Sequence, residues 1–202
     1  AKGVLLIISG PSGSGKGTIV EQLVSELGYC VSISATTRNP RPNEKDGIHY
    51  FFKTKEEFEK MIDNGELLEH AAFCGNYYGT PKKYVEEQLE SGKNIILEIE
   101  VQGALQVKKK YNDAVLIFTM PPTLTELRRR LEFRGTETKE VIDARINRAE
   151  EELEFLPDYD YIVINDTVDE AVKDVDCIVK AERMKCSRNP ELKNKFKGVV
   201  NK

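Results

Sequence analysis

The stretch Gly10-Pro11-Ser12-Gly13-Ser14-Gly15-Lys16-Gly17-Thr18 constrains this chain more than any other segment. It follows the apolar run Val4 to Ile8. It opens a stretch with apolar residues at helical spacing: Ile19, Val20, Leu23, Val24 and Leu27. A buried strand, a glycine-rich turn and a helix in that order make a phosphate-binding loop. The glycines let successive backbone N–H groups turn inward around phosphate oxygens, and the helix start adds its positive dipole end. Lys16 supplies a mobile charge for the terminal phosphates, and a hydroxyl nearby serves Mg²⁺. In the strict pattern that hydroxyl follows the lysine directly. Here Gly17 intervenes and Thr18 carries it.

The rest of the chain alternates in the same way. Gly28 marks the end of the first helix. Residues 94–99, 114–119 and 161–164 read as further buried strands, giving four with the first. Residues 81–90, 101–110, 123–133, 138–155 and 168–182 read as helices. Strands alternating with helices predict a parallel α/β sheet covered on both faces. Residues 33–80 break the alternation with short strands, many turn residues and one helical stretch at 55–64. They read as an α+β insertion. A second irregular stretch, Arg134 to Lys139, carries Gly135 between two charged helices and reads as a flap.

Composition limits the function classes. At 202 residues the chain is one domain with small excursions. A net charge of −4 argues against a duplex-binding surface spread over the whole protein. No apolar run exceeds five residues, so a membrane span is not expected. The start of the chain does not read as a signal peptide. Cys30, Cys74, Cys177 and Cys186 form no CxxC pair and have no histidine at metal spacing. Neither a zinc site nor a disulfide framework is expected, and a cytoplasmic location is the default. Residues 184–202 carry six Lys/Arg and one acidic residue, leaving −9 on the remainder. This basic C-terminal segment reads as a solvated extension, or as a docking segment for a partner subunit or RNA.

A phosphoryl-transfer chain also needs an acceptor site. Ser34, Thr36, Thr37, Arg38 and Arg41 lie in one short run stiffened by Pro40 and Pro42. Two guanidinium groups three residues apart suit a phosphate monoester, because arginine binds phosphate bidentately. Tyr50 and the pair Tyr77-Tyr78 offer hydroxyls to the same anion. Taken alone, the arginines also fit a solvated basic loop. Glu98 and Glu100 share a face at the C-terminal end of a buried strand, where open α/β sheets bind ligands. That places them to organise Mg²⁺-bound water or the acceptor. Arg130 and Arg134 are four apart, and Arg145 and Arg148 three apart. Each pair can gather charge around a moving phosphoryl group, or lie on a solvated helix laced by Glu150, Glu151 and Glu152. No residue reads as a covalent nucleophile: His49 and His70 are isolated, and nothing near Cys74 activates it.

The Lys-Gly-Thr variant resembles nucleoside monophosphate kinases. The segments Ser-Gly-Pro-Ser-Gly-Ser-Gly-Lys-Gly-Thr (9–18), Ser-Ala-Thr-Thr-Arg-Asn-Pro-Arg (34–41) and Gly-Asn-Tyr-Tyr-Gly-Thr (75–80) resemble guanylate kinase. So do Arg-Gly-Thr-Glu-Thr (134–138) and Ile-Val-Ile-Asn-Asp (162–166). The resemblance covers roughly residues 3 to 183. It implies a P-loop NTPase three-layer α/β fold with a parallel core sheet, an inserted α+β nucleotide-acceptor domain and a short lid. The implied divisions are a domain over 1–183, with core 1–32, 81–133 and 148–183, GMP-binding insertion 33–80 and lid 134–147. Residues 184–202 form the extension.

The implied reaction moves the γ-phosphate of MgATP in line to GMP or dGMP, giving ADP and GDP. The resemblance places Gly10, Pro11, Ser12, Gly13, Ser14, Gly15, Lys16, Gly17 and Thr18 on the ATP phosphates. It places Thr18, and Glu98 through water, at Mg²⁺, and Asn165 beside the adenine. Arg134 and Arg145 close over ATP, with Arg130 approaching, and Lys16 and Arg41 complete the catalytic charges. Glu69 and Ser34 read the guanine, with Thr80 near the base. Arg38, Arg41, Tyr50 and Tyr78 hold the GMP phosphate, and Glu98 and Glu100 line the acceptor site. Adenine would leave the Glu69/Ser34 pair mispaired. The family is expected to carry aspartate where this chain has Glu100, one methylene longer. No nucleic-acid or membrane partner is implied, and homo-oligomerisation stays open. Two other readings remain: a non-catalytic protein-binding module of the same fold, which tends to lose the phosphate loop kept here, and a kinase for a different monophosphate.

Overall fold

The computed structural model describes residues 2–198, so the last four residues of the basic segment, 199–202, lie outside the described residues. Five strands make a core sheet: β1 (Leu5–Ser9), β2 (Cys30–Val31), β7 (Ile95–Glu98), β8 (Val115–Met120) and β9 (Tyr161–Ile164). Their order is β2-β7-β1-β8-β9, and every pairing is parallel. β1 is buried along its whole length, as a run apolar on both faces requires. Leu6 and Ile8 face α1 (Lys16–Leu27) and α7 (Val168–Met184), packing with Leu23 and Val175. Leu5 and Ile7 face the other way, onto α3 (Lys82–Glu90) and α4 (Val101–Lys110), packing with Leu89 and Val107.

The sequence pattern predicts four core strands, and the structure adds β2 as a fifth. It has two residues, at the sheet edge, with Val31 exposed. A strand that short has no alternation to read.

The insertion forms a second sheet in the order β4-β3-β6-β5. Its strands are β3 (Ala35–Thr36), β4 (Phe51–Phe52), β5 (Leu67–Phe73) and β6 (Asn76–Pro81). The helix α2 (Lys55–Asp63) starts at a capping box between Thr54 and Glu57. It places Phe58 in a stack on Tyr77, with ring centroids 5.3 Å apart. β5 also touches the core. Leu68 joins the cluster under α4, and Lys110 Nζ donates to Leu67 O at 3.1 Å.

α5 (Leu124–Phe133) and α6 (Lys139–Leu153) pack through Leu127, Leu131, Ile142 and Ile146, and Arg128 pairs with Asp143 at 2.6 Å. The irregular stretch lies between them. α6 runs unbroken past residue 147, so no helix break marks the expected end of the lid.

The basic segment begins as a docked piece. Glu182 is buried and accepts from Tyr161 Oη at 2.7 Å and from Lys185 and Arg188. Beyond it, among the described residues, lie a 3-10 turn (Cys186–Arg188) and the short α8 (Leu192–Phe196). No helix among the described residues is long and apolar enough to cross a membrane.

Candidate active site

The loop after β1 takes its shape from three glycines with positive φ: Gly10 (147°), Gly13 (91°) and Gly15 (86°). Each also lies against a neighbour that leaves no room for a side chain. A Cβ on Gly10 would sit 2.1 Å from Thr119 O, and one on Gly15 would sit 2.2 Å from Asn165 Nδ2. The loop is braced from behind. Ser14 and Thr119 are fully buried with hydroxyls 3.3 Å apart, and Asn165 Nδ2 donates to Ser14 O at 2.8 Å. Gly15 caps α1, whose first turn carries no acidic residue, so its positive end is left for an anion. Lys16 Nζ folds back to donate to Gly10 O and Pro11 O. Burial lowers the pKa of Lys16, and Glu98, Glu152 and Glu100 oppose that shift.

A cavity of about 650 Å³ opens over this loop. Gly10, Pro11, Ser12 and Lys16 form its floor. Glu98, the last residue of β7, and Glu100, which lies past the strand at the N-cap of α4 rather than on a shared strand face, form one wall, and Arg145, Arg148 and Glu152 of α6 form the other. Arg145 donates to Ser12 Oγ and to Glu137. Arg148 donates to Glu100 at 2.7 Å and to Glu152 at 3.2 Å. A second cavity of about 290 Å³ lies behind the loop. Gly13, Gly15, Arg130, Arg134 and Asn165 are among its lining residues. Arg130 is held by Glu126 at 2.8 Å.

The second sheet holds two groupings. Arg38 lies over the Tyr50 ring at 5.4 Å, and the rings of Tyr50 and Tyr78 meet edge to face at 6.3 Å. Glu69 and Thr80, on the neighbouring strands β5 and β6, are joined by a hydrogen bond of 2.7 Å. Glu69 is 7% exposed, and its burial raises its pKa while Thr80 opposes the shift. Only the family resemblance singles out Glu69 in the sequence. Its burial arises because α4 passes close by: a Cβ on Gly103 would lie 3.2 Å from Glu69 Oε2.

The structure thus brings Lys16, Glu98, Glu100 and Arg145 to one cavity. Arg134, Arg130 and Asn165 share the other. Ser34 lies beside β3, half-buried, and Thr18 stands exposed in the first turn of α1. Sequence reasoning misses Glu44, which grips Arg38 at 2.8 Å and accepts from the Arg41 backbone N–H at 2.8 Å. Arg38, followed by that N–H, holds the Glu44 carboxyl down at about 2. The Arg-x-x-Arg-x-x-Glu spacing was its only signal. Glu137 and Glu152, which pair with Arg145 and Arg148, are missed as well, since acidic residues beside arginines read as a solvated face.

A family model described as guanylate kinase matches residues 2–182. The guanylate kinase of Desulfitobacterium hafniense is 49% identical over 198 residues, 98% of each chain. That of Halalkalibacterium halodurans is 54% identical over 188 residues, covering 93% of this chain and 92% of its own. The crystal structure of guanylate kinase from Anaplasma phagocytophilum superposes with a TM-score of 0.71 at 33% identity, covering all of this chain and 98% of that one.

Proposed function

This chain belongs to the guanylate kinase family, and we propose how its own residues divide the transfer of phosphate from ATP to GMP. The observation that carries the assignment is the shared cavity. The phosphate loop, the carboxylates Glu98 and Glu100, and Arg145 and Arg148 of α6 line one space of about 650 Å³, so donor and acceptor phosphates can meet there.

Gly10 to Thr18 cradle the ATP phosphates with backbone N–H groups, and Lys16 leaves its carbonyl partners to follow the terminal phosphates. Arg145 and Arg134 close from the lid. Arg130 and Asn165 bound the cavity on the adenine side. Arg38, Arg41, Tyr50 and Tyr78 hold the GMP phosphate. Glu69 accepts from the guanine N–H donors, Ser34 donates to O6, and Thr80 fixes the Glu69 carboxylate. Glu98 and Glu100 line the acceptor side. Lys16, Arg41, Arg134 and Arg145 surround the phosphoryl group, which passes in line without a covalent enzyme intermediate. Neither Ser34 nor Glu69 reads the ribose 2′-hydroxyl, so dGMP serves as well as GMP. Closure of the lid excludes water as a competing acceptor.

Thr18 and Glu98 are exposed hard-oxygen donors and fit magnesium, with the nucleotide phosphates as its other ligands, because no three His, Cys, Asp or Glu side chains converge among the described residues. When bound, magnesium supplies neutralisation and orientation of the ATP phosphates. The four free cysteines fit a reducing, cytoplasmic setting.

The test is ADP production from MgATP with GMP, dGMP and AMP at matched concentrations. Turnover with GMP and dGMP and little with AMP is expected. Equal turnover with AMP would remove Glu69 and Ser34 from base reading. Binding of GMP without turnover would point to the non-catalytic module instead.

A further inference from the structure

Glu100 stands at the N-cap of α4, with φ −72° and ψ 163°, yet its side chain accepts no capping hydrogen bond. A short carboxylate at an N-cap normally turns inward to the free N–H groups of the first turn. The longer Glu100 side chain turns away and takes the guanidinium of Arg148, on α6, at 2.7 Å. Arg148 is also tethered on its own helix by Glu152, four residues on, at 3.2 Å. Glu152 is largely buried, and its second oxygen has no partner. One turn earlier, Arg145 binds Ser12 of the phosphate loop. The lid helix is therefore held to the core at two points, one on the phosphate loop and one on an acceptor-side carboxylate.

We propose that Arg148 is a positioning residue that straps the lid helix to Glu100, and that GMP competes with it for that carboxylate. The proposal rests on the placement of Glu100 at the acceptor site. GMP arrival takes Glu100 and frees the Arg148 guanidinium into the cavity it already lines with Lys16 and Arg145. Acceptor binding then releases one of the two tethers, leaving the lid free to close over ATP, and adds a positive charge where the phosphoryl group moves.

The pair is exposed on both sides, so its effect is a modest factor that salt reduces. Arg148→Met should tighten GMP binding without ATP by about two- to fivefold, and should lower kcat. That gain should vanish at about 0.5 M salt and in a Glu100→Gln background. Arg148→Lys should stay near the parent protein in both Kd and kcat. Hydrogen exchange of residues 134–138 should rise equally in Arg148→Met and Glu100→Gln, and no further in the double variant. Glu100→Asp should raise lid exchange too, because the shorter side chain caps α4 and leaves Arg148.

Additive exchange effects, or none, would overturn the strap. Non-additive exchange with GMP affinity unchanged in both single variants would overturn the competition, and would place the failure in Glu100's acceptor role. A GMP affinity that responds to Glu100→Gln but not to Arg148→Met would overturn the coupling and leave that role intact.

Discussion

Thr80 Oγ1 donates to Glu69 Oε1 at 2.7 Å, and both side chains are almost wholly removed from solvent. A buried carboxylate costs stability unless it is paired, and one hydroxyl with Lys110 at a distance is little compensation. A site held in that condition is suited to a ligand that brings its own N–H donors.

The first prediction follows from the raised Glu69 pKa. In the proposed role, protonation turns an acceptor into a donor facing the guanine donors. As pH falls, kcat/KM for GMP should drop with an acid limb above the ordinary glutamate value of about 4.3. Glu69→Gln should abolish that limb and raise KM for GMP about 10- to 100-fold, with KM for ATP unchanged. A carboxyl with a raised folded-state pKa contributes stability at low pH that is lost as pH rises through that pKa. Differential scanning calorimetry at neutral pH should therefore give the nucleotide-free Gln variant a higher Tm.

Lys16 gives the second. Its burial lowers its pKa, so the alkaline limb of kcat should fall below the usual lysine range near about 10.4. Lys16→Ala should reduce kcat by about 10²- to 10³-fold and leave the circular dichroism spectrum unchanged.

Two glycines of the same loop should respond oppositely. Gly10→Ala places a Cβ against backbone at 2.1 Å and in a left-handed conformation, so urea denaturation should show a loss of about 2 kcal/mol or more. Nothing lies within 4 Å of a Cβ on Gly17, inside α1. Gly17→Ala should raise stability by about 0.5–1 kcal/mol.

The grip of Glu44 on Arg38 gives the fourth. Its carboxyl is depressed to about 2, so its hold on the loop is present above the unfolded value of about 4.3 and is lost as pH falls toward 2. Glu44→Gln should loosen residues 38–46 in amide exchange at pH 7, and should raise KM for GMP several-fold without moving KM for ATP. An unchanged exchange rate would show that Glu44 does not order the loop.

Much of the fold was legible because its signals are local. β9 runs Tyr161–Ile164 and α4 runs Val101–Lys110, the bounds that apolar runs and helical spacing predict. Gly28 closes α1 in the left-handed conformation that its place in the pattern requires. β2 escaped because two edge residues carry no period. Glu44 and Glu152 escaped, and Glu69 stood out only through the family resemblance, because a carboxylate's burial depends on what packs over it.

The strand–loop–helix of Leu5 to Leu27 and the alternation that builds the parallel sheet can be read along the chain, because backbone freedom and hydrophobic period act between near neighbours. That Arg145 reaches Ser12, 133 positions away, and that Arg148 reaches Glu100 across 48, follows from packing instead. Charges choose partners by distance and solvent exclusion in space, and both are set only once α6 has packed against the core.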